Sequence, residues 1–195
     1  MSINEFKFDK AVQSLNYLAK KENNKINKMK AIKLLYFADR YHIRKYGRPI
    51  FNDKYIAMGY GPVGSTTKDI VGLTLSDEEN EKASKVLMLV GQYEYQSIVD
   101  VDSGVFSDSD IEAIDFAYNE FGALNQFELA TLTHKYPEWK KFESELNSGV
   151  RSRRMEYKDF FENPTIPDDK FLITQKFVES SKDIYLEQEN LSNTL

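Results

Sequence analysis

The chain has 195 residues, 41% of them hydrophobic, with 13 phenylalanines, 12 tyrosines and no cysteine. These values fit one globular domain and exclude a disordered chain, a disulfide scaffold, a cysteine-ligated metal and a thiol nucleophile. The formal net charge of −5 divides into +8 over residues 1–72 and −13 over residues 73–195. The basic half therefore contacts nucleic acid, packs against the acidic half, or carries lysines that solvate helix faces.

The first two segments with helical periodicity are residues 8–21 and about 27–46. The second is apolar around most of its circumference, which is typical of a helix at the centre of a fold, and Gly47 is a natural C-cap. Asp39 and His42 project from its apolar arc, where a buried carboxylate must be paired or hydrogen-bonded. Its remaining charges form one narrow basic stripe: Lys30, Lys33, Arg40 and Arg44.

The middle of the chain has the short runs and turn residues of a small sheet. Residues 54–60 predict one strand, and the following Pro62 is well placed to begin a short helix that ends near Val71. Residues 92–100 predict a second strand, which we expect to pair with residues 54–60. The aspartates of residues 100–110 resemble a calcium loop, but the glycine that its turn requires is missing, so we predict an ordinary loop.

Helices dominate the remainder of the chain. Ser109 and Glu112 have the spacing of a capping box and predict a helix that ends at Gly122. Asn125 predicts the start of the next helix, and Pro137 at a first helical position predicts another turn. The last three segments are a basic flexible loop, a short helix and a long helix: residues 147–154, 156–161 and 168–190.

These elements predict a mainly α (α+β) fold, a single helical domain around the central buried helix with a small antiparallel sheet. No run approaches about 18 apolar residues, so we expect no membrane span. The N-terminus lacks the apolar region of a secretory signal, and we expect a cytoplasmic protein.

Candidate chemical groups are few. Gly59, Gly61 and Gly64 fit a dinucleotide-binding pattern by letter, but Pro62 removes a needed N–H group, and we interpret the segment as a tight turn. Asp39 and His42 are three residues apart on one helix, so they could form an acid–base pair, ligate a metal, or belong to an internal polar network. A hydrolase that uses Asp39, His42 and His134 therefore stays open, as does a nucleic-acid-binding regulator that uses the basic stripe.

Two sequence blocks resemble a known family. The first contains Lys33–Leu34–Leu35–Tyr36 with Ala38 and His42, then Gly47, Pro49, Ile50 and Phe51, then Tyr60–Gly61–Pro62–Val63. The second contains Leu129, Thr133, His134, Pro137 and, displaced by Glu138, Trp139. Both resemble the Panacea domain of SocA-like antitoxins, which occurs in bacterial and phage toxin–antitoxin systems. The resemblance covers about residues 8–162, so we expect an antitoxin-like domain over residues 1–162 and a helical extension over residues 163–195.

The resemblance implies function by protein contact, with no enzyme activity, cofactor or metal. Antitoxins of this kind neutralise a cognate toxin, typically encoded beside them, by direct binding. One relative acts as an adaptor that delivers its toxin to a Clp protease, so a Clp-type protease is a second expected partner.

A partner-binding module must expose aromatic or apolar anchors. Two irregular regions carry such residues, the turn over residues 55–62 and the junction over residues 134–139. If these regions are adjacent in the fold, they would form one aromatic surface beside the basic stripe; the alternative is that Tyr60 and Trp139 are buried in the core. The candidate partner-binding residues are Tyr55, Tyr60, Gly61, Pro62, Trp139 and, on the terminal helix, Phe177. Asp39, His42 and His134 are assigned instead to a structural polar network.

Overall fold

A computed structural model describes residues 5–192 as nine α-helices and two three-stranded antiparallel sheets. The predicted fold class, mainly α with some β structure, is confirmed. The helices are α1 (Phe8–Lys21), α2 (Lys28–Tyr46), α3 (Ser65–Gly72), α4 (Asp77–Ser84), α5 (Asp108–Phe121), α6 (Gln126–Thr133), α7 (Pro137–Lys140), α8 (Glu143–Asn147) and α9 (Gln175–Ser192). The strands are β1 (Lys25–Asn27), β2 (Tyr55–Met58), β3 (Gly61–Gly64), β4 (Leu87–Val90), β5 (Glu94–Ser97) and β6 (Ser152–Arg154).

Helix α2 lies at the centre of the fold, as its pattern predicts. The side chain of Asn27 accepts hydrogen bonds from the amides of Met29 and Lys30 and caps its N-terminus. Gly47, with φ of 68°, ends the helix in the left-handed conformation that glycine adopts without a Cβ clash. Thirteen residues of α2 are buried, and three of them are basic.

The two sheets correct the predicted strand pairing. Strand β2 pairs with β3 and β6, whereas β5 pairs with β1 and β4. The expected pairing of residues 54–60 with residues 92–100 is therefore wrong. Each predicted strand instead joins the hairpin partner next to it along the chain, since short connections place consecutive strands side by side. All six strands have only three or four residues, too few to give a reliable alternating pattern.

Three element boundaries also differ from the sequence prediction. Pro62 does not begin a helix, because it lies in edge strand β3 opposite Ala57, where a missing N–H group is tolerated. The capping box of α5 is formed by Ser107 and Asp110, two residues before the predicted pair. Helix α9 begins at Gln175 and not at residue 168, since residues 162–174 form an irregular connection that contains Pro164 and Pro167.

An aromatic cluster fills the interior beside α2. The rings of Phe37 and Phe121 stack with centroids 4.2 Å apart, and Phe171 packs against both. Helix α9 crosses the C-terminal end of α2, where the hydroxyl of Ser181 donates to the carbonyl of Lys45 at 2.9 Å. None of the described helices is both long enough and apolar enough to cross a membrane.

Candidate functional site

The β2–β3 hairpin is fixed to the two motif-bearing helical segments. The buried amine of Lys33 on α2 donates to the carbonyl of Pro62 at 2.6 Å. The indole nitrogen of Trp139 on α7 donates to the carbonyl of Met58 at 2.9 Å. The two irregular regions, residues 55–62 and 134–139, are therefore adjacent, and α2 contacts the hairpin directly.

Gly61 makes this close approach possible. Its φ is +89°, and a Cβ atom placed on it would lie 2.2 Å from the hydroxyl oxygen of Thr133 and 3.0 Å from the amine of Lys33. Only glycine fits this conformation and this space without displacing a neighbour. The sequence Tyr60–Gly61–Pro62 therefore holds the hairpin against α2 and α6.

The candidate partner-binding residues divide by exposure. Tyr60 at the hairpin tip is 67% exposed and Phe177 on α9 is 65% exposed. Tyr55 is 4% exposed and Trp139 is 3% exposed, while Gly61 and Pro62 are also buried. Direct contact with a partner is thus available to Tyr60 and Phe177, and the other four residues position the hairpin.

Asp39 and His42 both bind the turn that follows α2. The carboxylate of Asp39 accepts hydrogen bonds from the amide of Ile50 at 2.6 Å and the hydroxyl of Tyr55 at 3.0 Å. The imidazole Nδ1 of His42 lies 2.7 Å from the carbonyl of Arg48. These bonds go to the turn and not between the two side chains, so the arrangement fixes the backbone after Gly47.

Burial sets the charge states of this pair. It raises the pKa of Asp39 to about 7, although hydrogen bonds from Ile50 and Tyr55 oppose the shift. It lowers the pKa of His42 to about 4, so the imidazole is neutral at pH 7. A neutral ring protonated on Nδ1 donates to Arg48 and accepts from the hydroxyl of Ser109, 3.0 Å from Nε2.

His134 lies apart from Asp39 and His42. Its ring stacks on Trp139, with centroids 3.7 Å apart and an interplanar angle of 9°. Burial lowers its pKa, and the nearby charge of Lys33 lowers it further. Among the contacts of the described residues, no hydrogen bond or ring contact joins His134 to Asp39 or His42. Within residues 5–192, no group of three or more histidine or acidic side chains is placed to hold a metal.

The basic stripe of α2 points into the protein. Lys33, Arg40 and Arg44 are each no more than 1% exposed, and Lys30 pairs with Glu22 at 2.7 Å. The hypothesis that this stripe binds nucleic acid is therefore wrong, because phosphate groups cannot reach buried cations.

The buried partner of Arg40 is Glu138, a residue that the sequence analysis did not identify as structural. One guanidinium nitrogen of Arg40 lies 2.6 and 2.8 Å from the two carboxylate oxygens of Glu138, which also accepts from the hydroxyl of Tyr36 at 2.5 Å. A buried arginine requires such a partner, but nothing in the sequence selects this glutamate among the 31 acidic residues.

Arg44 extends the same buried polar region towards α9. It donates to the carbonyls of Phe160 and Glu162 at 3.0 Å, and to the side chain of Asn163 at 2.6 Å. Burial lowers its pKa to about 10, and the charge of Arg40 contributes. The two arginines of α2 therefore fix residues 160–163, from which the chain continues to α9.

Comparison with known proteins identifies the region that carries this site. A family model described as antitoxin SocA-like, Panacea domain, matches residues 32–140, which include α2, the β2–β3 hairpin, α6 and α7. No curated protein and no solved structure matches the chain. The family match confirms the resemblance inferred from the two sequence blocks.

Proposed function

The chain belongs to the antitoxin SocA-like, Panacea-domain family, and we propose that it neutralises a cognate protein toxin, encoded nearby, by direct contact and without catalysis. The observation that carries this proposal is Tyr60, a 67% exposed aromatic side chain on a hairpin in which the next two motif residues, Gly61 and Pro62, are buried. We place this activity in the cytoplasm, where a toxin encoded beside the chain would be made.

Tyr60 has the properties of an interface anchor. Tyrosine is enriched among residues that dominate binding energy, and it loses little conformational entropy when it is bound. The hairpin beneath it is held by the bonds of Lys33 to Pro62 and of Trp139 to Met58. A rigid support lowers the cost of ordering the interface, so binding energy at Tyr60 is not spent on folding the hairpin.

Helix α9 supplies the second proposed contact. Phe177, Ile184 and Leu191 are spaced by seven residues and are 65%, 45% and 58% exposed. An apolar row on an exposed helix is the feature that a groove in a partner protein recognises.

Co-expression tests the hairpin contact. The neighbouring reading frame is expressed with the wild-type chain, with Tyr60→Ala, or with Tyr93→Ala, whose side chain is equally exposed at 66% but lies outside the hairpin. We expect the wild type and Tyr93→Ala to rescue growth. Tyr60→Ala should bind the toxin roughly 30-fold more weakly, the loss of a hot-spot residue, with an unchanged melting temperature. Equal rescue by Tyr60→Ala and Tyr93→Ala would show that Tyr60 is not part of the interface. If the protein encoded by the neighbouring reading frame is not toxic, the proposed function is contradicted.

A second pair of variants tests α9. Phe177→Glu places a charge on the proposed contact, whereas Phe127→Glu places the same charge on an aromatic side chain that is 59% exposed on α6. We expect weakened neutralisation from Phe177→Glu alone. If Phe127→Glu weakens neutralisation and Phe177→Glu does not, the toxin contacts the α6 surface and not α9.

The mode of neutralisation is tested separately. We propose that a Clp-type protease is a second partner, to which the chain delivers the toxin. The half-life of the toxin should then shorten when the antitoxin is present and recover in a host without the protease. A constant half-life with full rescue would leave direct blocking as the mechanism.

A further inference from the structure

A cleft of about 810 Å³ lies on the protein, away from Tyr60. Its walls come from four places: the start of α1, the turn after α2, residues 154–158 from the end of β6 onward, and the C-terminal part of α9. This volume falls within the range of small-molecule sites, roughly 300–1,000 Å³. Neither Tyr60 nor Phe177 lines this cleft, whereas Arg48, Ile50 and Tyr55 in its wall are held by Asp39 and His42.

The lining of the cleft is basic although the whole chain has a net charge of −5. Three carboxylates face six cationic side chains, and the carboxylate of Asp53 already accepts from the amides of Thr66 and Thr67 at 2.9 and 2.8 Å. The six cations are Lys7, Lys10, Arg48, Lys54, Arg154 and Lys158. A concave surface lined mainly by one sign of charge concentrates the electrostatic potential and attracts oppositely charged ligands.

Three of these cations have no carboxylate partner among residues 5–192. Lys10 and Arg48 lie against Asp110, and Lys158 pairs with Glu156 at 2.5 Å. Lys7, Lys54 and Arg154 make no ion pair within the described part of the chain. Their charges are therefore available to a bound anion.

The floor of the cleft is apolar and aromatic. Ile50, Met155 and Phe160 are each no more than 5% exposed, and the half-buried ring of Tyr185 lines the wall beside them. A ligand that fills this space needs an apolar or planar part over the floor and negative charge at the rim. From this arrangement we propose that the cleft binds a nucleoside phosphate.

An acidic segment of a protein partner is the competing occupant. Protein interfaces of stable complexes are typically broad surfaces of about 800 Å² on each partner, whereas this site is a bounded concavity with a buried floor. The nucleoside phosphate proposal does not depend on toxin neutralisation, and purified protein alone can test it.

Calorimetric titration with ATP, adenosine, tripolyphosphate and a decaglutamate peptide tests the proposal. The cleft variant is a double variant that combines Lys54→Gln with Arg154→Gln. The matched control is Lys135→Gln with Lys182→Gln, which removes two exposed cations outside the cleft. We expect saturable ATP binding that weakens at least tenfold in the cleft variant and is unchanged in the control, with unaltered melting curves.

Each other outcome would overturn the proposal. Absence of saturable ATP binding, or equal weakening in both variants, would show that the cleft is not a specific site. If tripolyphosphate binds as tightly as ATP, the cleft recognises only the phosphate groups and not a nucleoside. Decaglutamate that binds while ATP does not compete would assign the cleft to an acidic protein segment.

Discussion

His42 shows how burial at a single residue makes stability depend on pH. Its imidazole has a pKa of about 4 in the folded protein, against 6.5 when it is unperturbed. The unfolded chain therefore takes up a proton between these values and the folded protein does not, so stability falls as pH decreases from about 6.5 to 4. We expect this residue to account for a loss of roughly 3 kcal/mol, at 1.36 kcal/mol per pH unit.

Urea unfolding of the wild type and of His42→Gln across this pH range measures the effect. The glutamine side chain cannot be protonated, so the variant should lose roughly 3 kcal/mol less between pH 6.5 and pH 4. If the free energy of unfolding depends on pH in the same way for both proteins, His42 takes up its proton with the same pKa in the folded and the unfolded chain.

Glu138 gives a second prediction at the residue scale. Because both Glu138 and Arg40 are fully buried, Glu138→Ala leaves an uncompensated guanidinium in the core and should reduce the free energy of unfolding by roughly 3–5 kcal/mol. The double variant Arg40→Met with Glu138→Leu removes both charges and should be less damaged than the sum of the single variants. Additive losses in this double-mutant cycle would show that the ion pair contributes no coupling.

What the sequence predicts about these residues depends on the range of their contacts. Asp39 accepts a hydrogen bond from the amide of Ile50, only 11 residues further along the chain. Because Asp39 lies on the apolar arc of α2, its need for a nearby partner could be inferred from the sequence. The partner of Arg40 is 98 residues away, and no local pattern encodes that distance. For this reason the sequence does not predict that the basic stripe is buried.

At the scale of elements, Gly61 decides whether the β2–β3 hairpin can lie against α6. Gly61→Ala forces a side chain into a positive φ and into the hydroxyl of Thr133, so we expect a loss of at least about 2 kcal/mol. Gly59→Ala in the same turn meets no atom within 4 Å and should change stability by less than about 0.5 kcal/mol. Chemical denaturation of both variants makes the comparison, and equal losses would mean that the hairpin does not need this close approach.

The helices were more predictable than the strands, for a physical reason. A helix such as α1 or α2 repeats its buried face over 14 or 19 residues, and its caps satisfy backbone groups with nearby side chains. Strands of three or four residues satisfy their backbone groups with distant partners, and Pro62 fits equally well at a helix start and in an edge strand. Pairing was therefore the least predictable feature of the fold.

At the scale of the whole molecule, ion pairs that range from buried to solvent-exposed join the opposite charges of the two halves. Lys21 pairs with Asp115 at 2.9 Å, Lys10 and Lys45 pair with Asp110 and Glu112, and Arg40 pairs with Glu138. The charge asymmetry of the sequence thus reflects how residues 1–72 pack against the later segments. The cleft around Lys54 and Arg154 is one surface where this neutralisation is incomplete.

The same packing predicts how far the C-terminal segment is part of the fold. The sequence suggests a domain over residues 1–162 with a helical extension over residues 163–195, but Phe171 is 3% exposed and contacts the rings of Phe116 and Tyr136, with centroids 5.3 and 5.5 Å apart. We expect a chain ending at residue 174, which keeps Phe171, to be more stable than one ending at residue 162. The difference should approach the 3–5 kcal/mol that loss of a buried phenylalanine typically costs.

Denaturation monitored by circular dichroism compares the two truncations, and Phe171→Ala in the full chain separates the effect of the ring from that of chain length. If Phe171→Ala reproduces most of the difference, the ring completes the aromatic cluster around Phe37 and Phe121. A chain ending at residue 162 that melts like the full protein would instead make residues 163–195 a separate extension. In that case α9 would be free to act in partner binding without any contribution to the core.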